Sequence, residues 1–279
     1  MEIAKRTKQD YGSVKDLGAL DAAELLKKDA DQRQIGKLVH DIIGTPKKIA
    51  LAHGLLAGLD AQETITTNYD RLFELAVEQA GRTTPTVLPW EAAEVGRPWL
   101  LKLHGDLHRA DSIVLTRRDF VLFDTRSRPA GSLLQATLMT RHLLIVGTSL
   151  ADDNVIRLAM EVDDYLRRNG VHSAQGTFID VSGKAARQRL WSEQFHWHVC
   201  EGEGITQRVR QMEIFLDVVA AYAARNASWL LDPRFAGLLS DSEQRVTAKV
   251  RSALAEVPDA DDGLLAPLKE MREQLGGAG

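Results

Sequence analysis

Apolar residues in the first two thirds of the chain occur in two patterns, short continuous runs and a spacing of three to four residues. The continuous runs predict strands, whereas the wider spacing predicts helices that bury one face. The predicted strands cover residues 64–67, 86–88, 99–103, 113–115, 142–146, 177–181 and 198–200. Helical segments separate most of them. Strands that alternate with helices form βαβ units, so the pattern predicts an α/β fold with a parallel sheet.

Helix starts are predicted where residue types favour a first turn. Asp21 with Glu24 three residues later is a variant of the capping box. Thr45 followed by Pro46 predicts an N-cap and a first-turn proline for a helix that ends near Leu59. Further helices are predicted over residues 70–80, 132–140, 155–168 and 184–194.

The last third of the chain has helical spacing only. From residue 205 onward no strand is predicted, and Pro258 and Pro267 divide the end of the chain into short helices. We therefore predict an α/β domain over residues 1–225 and a helical appendage over residues 226–279, whose glycine-rich end frays.

Composition narrows the class of protein. Of the 279 residues 44% are hydrophobic and 27% are charged, which is typical of a globular protein with a sizeable core. The net charge of -4 is too balanced to predict a nucleic-acid or anionic-membrane partner. Cys200 is the single cysteine, so an internal disulfide and a four-thiolate zinc site are excluded. Without an apolar run of about 18 residues or a signal peptide, we expect a cytoplasmic protein.

Polar side chains follow three of the predicted strands, where parallel sheets bind ligands. The first such segment contains Thr67, Asn68, Tyr69 and Asp70. Asn68 or Asp70 could simply cap the next helix, since both residue types do so well. Alternatively, an amide and a carboxylate here face a ligand beside the positive end of a helix.

The second segment places His104 directly after an apolar strand. Gly105 follows it and could let a ligand approach the backbone. A surface histidine in a polar turn is the simpler interpretation. A third possibility is a metal site, because His104, Asp106 and His108 point to one side of an extended chain.

The third segment is Gly147, Thr148 and Ser149, between a strand and a helix. Hydroxyl and backbone N–H donors at a helix entrance can bind ribose or phosphate oxygens. Here too capping is an alternative, with Ser149, Asp152 or Asn154 as the cap.

The three segments, in this order, resemble the sirtuin superfamily, and more closely the bacterial sirtuin-like NAD hydrolases of anti-phage defence. The segment from Ile113 to Phe120 is also similar to that bacterial subgroup, and the resemblance covers about residues 21–199. It implies a Rossmann-like parallel sheet flanked by helices, so that residues 1–225 form a sirtuin-like NAD-binding domain.

The resemblance also implies the roles of individual residues. Asn68 matches the catalytic asparagine, which holds the nicotinamide ribose and the attacking water, and His104 matches the general base. NAD is the expected substrate and no metal is expected. The residues expected to contact NAD are Thr67, Tyr69, Asp70, Gly105, Gly147, Thr148 and Ser149.

The implied reaction is hydrolysis of the nicotinamide–ribose bond. Nicotinamide leaves as a neutral molecule, so the site needs no general acid, and positive charge develops on the ribose. A base positioned as His104 would be contributes about 10²–10⁴-fold to such a rate. An amide such as that of Asn68 can both donate to and accept from hydroxyl groups.

Two departures from the family qualify these expectations. Protein-deacetylating sirtuins carry a zinc module with two CxxC pairs, which one cysteine cannot form, so deacetylation is not expected. Nothing before Asp21 matches the family's Gly-Ala-Gly-x-Ser loop, so we expect either that the first βα unit is missing or that the site is degenerate. A non-catalytic module that binds NAD or ADP-ribose, or serves in assembly, is therefore the alternative. A homo-oligomer or a partner sensor protein is the expected assembly.

Overall fold

The computed structural model describes residues 17–28, 30–44, 47–223, 229–258 and 263–276. Contacts divide the chain into two compact units, residues 1–212 and 213–279. One helix, Ile205–Ala223, carries the chain from one unit into the other. The predicted boundary at residue 225 stays a prediction. In the described residues no helix is long and apolar enough to cross a membrane.

The first unit alternates strands with helices, as predicted. Its strands are β1 (Glu63–Thr66), β2 (Thr86–Leu88), β3 (Trp99–Lys102), β4 (Leu143–Ile145), β5 (Gly176–Asp180) and β6 (Phe195–Val199). Its helices are α1 (Ala19–Lys27), α2 (Gln32–Ile43), α3 (Leu51–Gly58), α4 (Leu72–Gln79), α5 (Arg117–Val121), α6 (Phe123–Arg126), α7 (Arg128–Thr140), α8 (Asp153–Arg168), α9 (Ala185–Trp191) and the start of α10 (Ile205–Ala223).

All strand pairs are parallel, which confirms the predicted fold class, but the strands form two sheets instead of one. The first sheet has the order β1–β3–β2, with Thr66 opposite Lys102. The second has the order β4–β5–β6, with Ile145 opposite Phe178. In the described part of the chain no strand joins β1 to β4. A side-chain pair connects their starts, since Arg141 Nη2 lies 3.0 Å from Glu63 Oε1.

One hydrophobic core cluster contains residues from both sheets. Leu101 and Leu103 contribute from the end of β3 and Phe178 from β5, and helices α7 and α8 cover them with Leu134 and Leu158. Parallel sheets bury such apolar residues under crossover helices. The core therefore holds the end of β3 and the middle of β5 together.

Three local predictions are wrong. Helix α1 begins at Ala19, and Asp21 does not cap it, because its carboxylate accepts from Arg117 Nε at 2.8 Å. Helix α3 begins at Leu51, while Thr45 and Pro46 lie outside the described residues. Residues 113–115 form no strand, because Val114 is held by the backbone of His104 and by a tyrosine hydroxyl, not by a strand partner.

The second unit is helical, as predicted. It contains the rest of α10, α11 (Asp241–Ala255), α12 (Ala266–Gln274) and a 3-10 helix at Pro233–Leu238. Pro267 lies in the first turn of α12, where its fixed φ suits a helix start. Arg251 Nε donates to Leu231 O at 2.7 Å, and Leu231 N donates to Leu275 O at 2.9 Å. The glycine-rich end, residues 277–279, lies outside the described residues.

Candidate functional site

The register of β1 and β3 places Asn68 and His104 at the same level. Thr66 is opposite Lys102, and the pairing extends one residue further because Leu103 N donates to Thr66 O at 2.9 Å. Asn68 and His104 each lie two residues beyond this pair, on chains that run about 4.8 Å apart within the sheet. Asn68 is exposed, and only its backbone N–H is engaged by a described residue, Thr66 Oγ1 at 3.1 Å.

His104 is buried, with 5% of its surface exposed. Its ring contacts Phe120 and Phe123, with centroid distances of 5.2 and 6.3 Å. Nε2 lies 2.9 Å from Asp152 Oδ2. The N–H of Nε2 is not aligned with that oxygen, so this buried atom has no directed hydrogen bond. Catalytic hydrogen bonds are often misaligned before substrate binds.

Asp152 connects His104 to the segment after β4. Its Oδ1 accepts from Asn154 N at 3.0 Å and from Val155 N at 3.1 Å, at the start of α8. Burial opposes ionisation, but the contact with His104 and these two N–H donors hold the pKa of the Asp152 carboxyl below its usual range. The carboxylate is therefore charged at neutral pH. Through its contact with His104, Asp152 brings the predicted segment after β4 next to those after β3 and β1.

Residues 147–152, which we call the glycine loop, are open on the side of Gly147. The backbone of Gly147 has φ +71°, and no atom lies within 4 Å of the place where a Cβ would stand. Thr148 and Ser149 are exposed, while Leu150 is buried with φ +45°. A left-handed conformation is unfavourable for leucine. Two contacts hold Leu150 in this conformation. Its side chain is buried in the core, and its N–H donates to Thr148 Oγ1 at 3.3 Å.

Residues 103–109, which we call the histidine loop, are held by a buried cluster of charges. Lys102 Nζ donates to Asp106 Oδ2 at 2.6 Å and to Asp70 O at 2.7 Å. Glu74 Oε1 of α4 lies 2.8 Å from the same Nζ. The side chains of Lys102 and Glu74 are 0% and 3% exposed. The cluster ties β3, α4 and the segments after β1 and β3 into one arrangement.

Tyr69 and Asp70, which are predicted to contact NAD, each form a hydrogen bond within the protein. Asp70 Oδ1 accepts from Leu72 N, at the first residue of α4, at 2.9 Å, although the N-cap position itself is Arg71 and not Asp70 or Asn68 as the alternative held. Tyr69 donates its hydroxyl to Val114 O at 2.7 Å. Burial, with the charges of Asp152 and Asp119, raises the pKa of Tyr69 to about 12. Their contacts with NAD, and those of the half-buried Thr67, stay predictions.

Gly105 is required by the protein's own packing. Its φ is +100°, and a Cβ there would lie 2.3 Å from Ser112 O. The space that we assigned to a ligand is thus occupied by backbone on this side. The contact of Gly105 with NAD stays a prediction.

The metal alternative receives no support from the geometry. Asp106 uses its carboxylate for Lys102 and for the backbone N–H of His108 at 2.8 Å. His108 is exposed and lies against His40, with a centroid distance of 6.3 Å. In the described part of the chain no group of three or more His, Cys, Asp or Glu side chains could hold a metal ion.

Two surface cavities lie beside the histidine loop. They measure about 180 and 790 Å³ and share lining by His40, Leu107 and His108. Neither Asn68 nor His104 lines them in the described structure. A single crevice shared by Asn68 and His104 therefore stays a prediction.

Sequence reasoning missed three residues of this region. Lys102 interrupts an apolar strand, which is a signal that it has a buried partner. Glu74 gave no such signal within the helical pattern. Asp152 was predicted only as one of three possible caps, and its contact with His104 depends on how the two sheets are placed.

The parallel strands define a Rossmann-like α/β protein. Its candidate site lies at the strand ends, where a buried imidazole–carboxylate pair, an exposed amide and an open glycine turn are found. Residues 62–199 match the family model described as the SIR2-like domain. Over these residues the chain is sirtuin-like.

Several named proteins are similar to part of this chain. NAD(+) hydrolase ThsA of Enterococcus faecium is 28% identical over 140 residues, which are 48% of this chain and 29% of that protein. ThsA of Bacillus cereus (strain MSX-D12) is 27% identical over 157 residues, 55% of this chain and 33% of that protein. Defense-associated sirtuin 2 of Bacillus subtilis is 24% identical over 123 residues, 42% of this chain and 12% of that protein. The chain spans a third or less of the length of these relatives.

Proposed function

We propose that this chain hydrolyses the nicotinamide–ribose bond of NAD, with nicotinamide and ADP-ribose as products. The observation that carries the proposal is the convergence of three strand ends: the β1–β3 register aligns Asn68 with His104, and His104 contacts Asp152 of the glycine loop. The similarity to proteins named NAD(+) hydrolase supports this activity over a non-catalytic module.

His104 is the proposed general base. In the net reaction one water adds to the ribose carbon as the bond to nicotinamide breaks, and one proton is released. The imidazole accepts that proton from the water or from a ribose hydroxyl. Because nicotinamide departs neutral with the bonding electron pair, no acid needs to be supplied to the leaving group.

Asn68 is proposed to orient the reacting groups. Its exposed amide has one acceptor oxygen and two N–H donors, so it can hold a ribose hydroxyl and a water together. The glycine loop is proposed to contact the adenosine-side ribose and phosphate, because Gly147 faces open space and Thr148 and Ser149 are exposed. Thr67, Tyr69, Asp70 and Gly105 complete the proposed set of NAD-binding residues.

We also propose a role in anti-phage defence through depletion of NAD. One relative is named as a defence-associated sirtuin. A homo-oligomer or a partner sensor protein would then control the activity. Light scattering of the purified chain, with and without NAD, tests the oligomer directly.

The test is nicotinamide release from NAD, followed by chromatography, for Asn68→Ala and His104→Ala. We expect each to lose at least about 100-fold in rate, the size of a lost catalytic base or orienting group. His108→Ala is the matched control, because it removes an exposed imidazole four residues away.

A wild-type rate in His104→Ala would reject the assignment of the base. Calorimetry with NAD and ADP-ribose separates the remaining outcomes. Tight binding without turnover by the wild type would favour a non-catalytic module.

A further inference from the structure

The carboxylate of Asp152 serves two structural elements at once. Oδ1 accepts the two N–H groups that open α8, and Oδ2 lies 2.9 Å from His104 Nε2. The helix start occupies one oxygen, and the imidazole takes the other. An N-cap alone does not require this, because Ser or Asn caps a helix about as well as Asp.

We propose that Asp152 is a positioning residue for His104, which keeps the imidazole proton on Nε2 and leaves Nδ1 as the proton acceptor. The proposal rests on the proposed function for its catalytic consequence. It goes beyond that function because Asp152 is not among the residues expected to catalyse the reaction or contact NAD. The proposal assigns to it the tautomer and the orientation of the base.

A carboxylate next to one ring nitrogen favours the tautomer with the proton on that nitrogen. The lone pair is then on the other nitrogen. Nδ1 of His104 has no hydrogen-bond partner among the described residues, so no protein group holds its lone pair. Only this tautomer presents a base at Nδ1.

The groups around His104 leave Asp152 as the charge that acts on the ring. Helices α5 and α6 present Phe120 and Phe123, which carry no charge and keep water away. The Tyr69 hydroxyl is neutral at physiological pH, since its pKa is raised to about 12. Asp119, at the start of α5, is paired with Lys27 at 3.0 Å and with Arg126 at 3.2 Å.

The carboxylates beside the histidine loop have a charged partner of their own. Asp106 is bonded to Lys102 at 2.6 Å, and Glu74 lies 2.8 Å from the same Nζ. A carboxylate in a site with little water interacts with an imidazole more strongly than in solution. Asp152 is therefore the group whose removal should change the state of His104.

The decisive variant is Asp152→Asn. Asparagine has one oxygen where aspartate has two, so its oxygen can cap α8 or face His104 Nε2, but not both. The cap itself is retained, because Asn is among the best N-cap residues. Asp153→Asn is the matched control, since it removes the same charge from the exposed neighbouring position of the same helix.

The first readout is steady-state nicotinamide release. For Asp152→Asn we expect kcat to fall about 10–100-fold, the usual cost of losing a partner that orients a functional histidine, with KM changed little. For Asp153→Asn we expect kcat within twofold of the wild type. Thermal unfolding verifies that both variants are folded.

The second readout does not depend on activity. Two-bond ¹H–¹⁵N NMR spectra of histidine-labelled protein report the tautomer of each ring, and His104→Ala assigns the signal. We expect His104 to carry its proton on Nε2 in the wild type and in Asp153→Asn, and to shift towards a mixture in Asp152→Asn. A tautomer that is the same in Asp152→Asn as in the wild type overturns the proposal, whatever happens to kcat. If the tautomer shifts and no protein releases nicotinamide, the positioning role stands and the proposed function fails.

Discussion

The histidine loop and the glycine loop follow strands of the two sheets, and they are held very differently. In the histidine loop, Leu103 donates its backbone N–H to the last residue of β1 and Leu107 donates to the segment after β1, while Asp106 bonds a buried lysine. The glycine loop has an exposed start, with the buried Leu150 and the capping Asp152 as its anchors. One loop is fixed along its length, whereas the other is fixed only at its end.

This difference suits a division of labour within the proposed site. A reacting imidazole needs a fixed position, because a displacement of about 1 Å can cost about 100-fold in rate. A loop that contacts ribose and phosphate oxygens can adapt its exposed hydroxyls to the ligand. The contact between His104 and Asp152 is where the fixed part meets the adaptable part.

The largest expected effect concerns the charges under the histidine loop. Lys102→Met removes the buried cation that Asp106 and Glu74 share and leaves both buried carboxylates without it. We expect the free energy of unfolding to fall by about 3–5 kcal/mol, as measured by urea denaturation.

Lys184→Met is the control for this variant, because Lys184 is exposed at the start of α9. We expect its unfolding free energy within about 0.5 kcal/mol of the wild type. An equally small change in Lys102→Met would mean that the charge cluster does not hold the histidine loop.

A smaller effect compares one glycine from each loop. Gly105→Ala and Gly147→Ala both place a side chain at positive φ, +100° and +71°. Only at Gly105 would the new Cβ meet backbone, Ser112 O at 2.3 Å. We therefore expect Gly105→Ala to lose about 1–3 kcal/mol more than Gly147→Ala, the usual cost of overpacking. Equal losses in thermal or urea unfolding would remove the distinction between the loops.

The smallest expected effect is the pH dependence of the unfolding free energy that Asp152, which connects the two loops, contributes. Because the pKa of Asp152 is lowered in the folded protein, its charged form stabilises the fold above the unfolded value of about 4. That contribution is lost as the pH falls through the lowered pKa. We expect the difference in unfolding free energy between the wild type and Asp152→Asn to be larger at pH 7 than at pH 3.

Ser149→Ala is the control for the pH series, because it alters the same loop without removing a titratable group. Its difference from the wild type should not change between the two pH values. A difference for Asp152→Asn that is also constant would show that its carboxylate is equally stabilised in the unfolded chain.

The sequence predicted the strand ends well because apolar runs determine where strands begin and stop. The order of the runs led to the parallel fold, and the polar residues after β1, β3 and β4 do lie at strand ends. The division into two sheets was not predictable from runs alone, since pairing depends on which strands become neighbours. The same holds for residues 113–115, whose apolar pattern is that of a strand. Val114 instead donates its N–H to His104 O and accepts from the Tyr69 hydroxyl.

Contacts between distant segments were the least predictable part of the candidate site. Asp31, in contrast, forms a capping box with Gln34 only three residues away, and such a local pattern is visible in the sequence itself. Lys102 and Glu74 are 28 positions apart along the printed sequence, and His104 and Asp152 are 48 apart, so no local spacing signals either contact. Such pairs follow from the packing of whole elements.

Because Lys102 is buried, the chemical reactivity of its amine would report local opening of the fold around it. Its amine is sealed by two carboxylates and a carbonyl oxygen, so acylating reagents that label the exposed lysines cannot reach it while the fold is closed. Labelling of Lys102 over time, followed by mass spectrometry of its peptide, would measure how often β3 and α4 separate. That rate would give the lifetime of the closed arrangement on which the position of His104 depends.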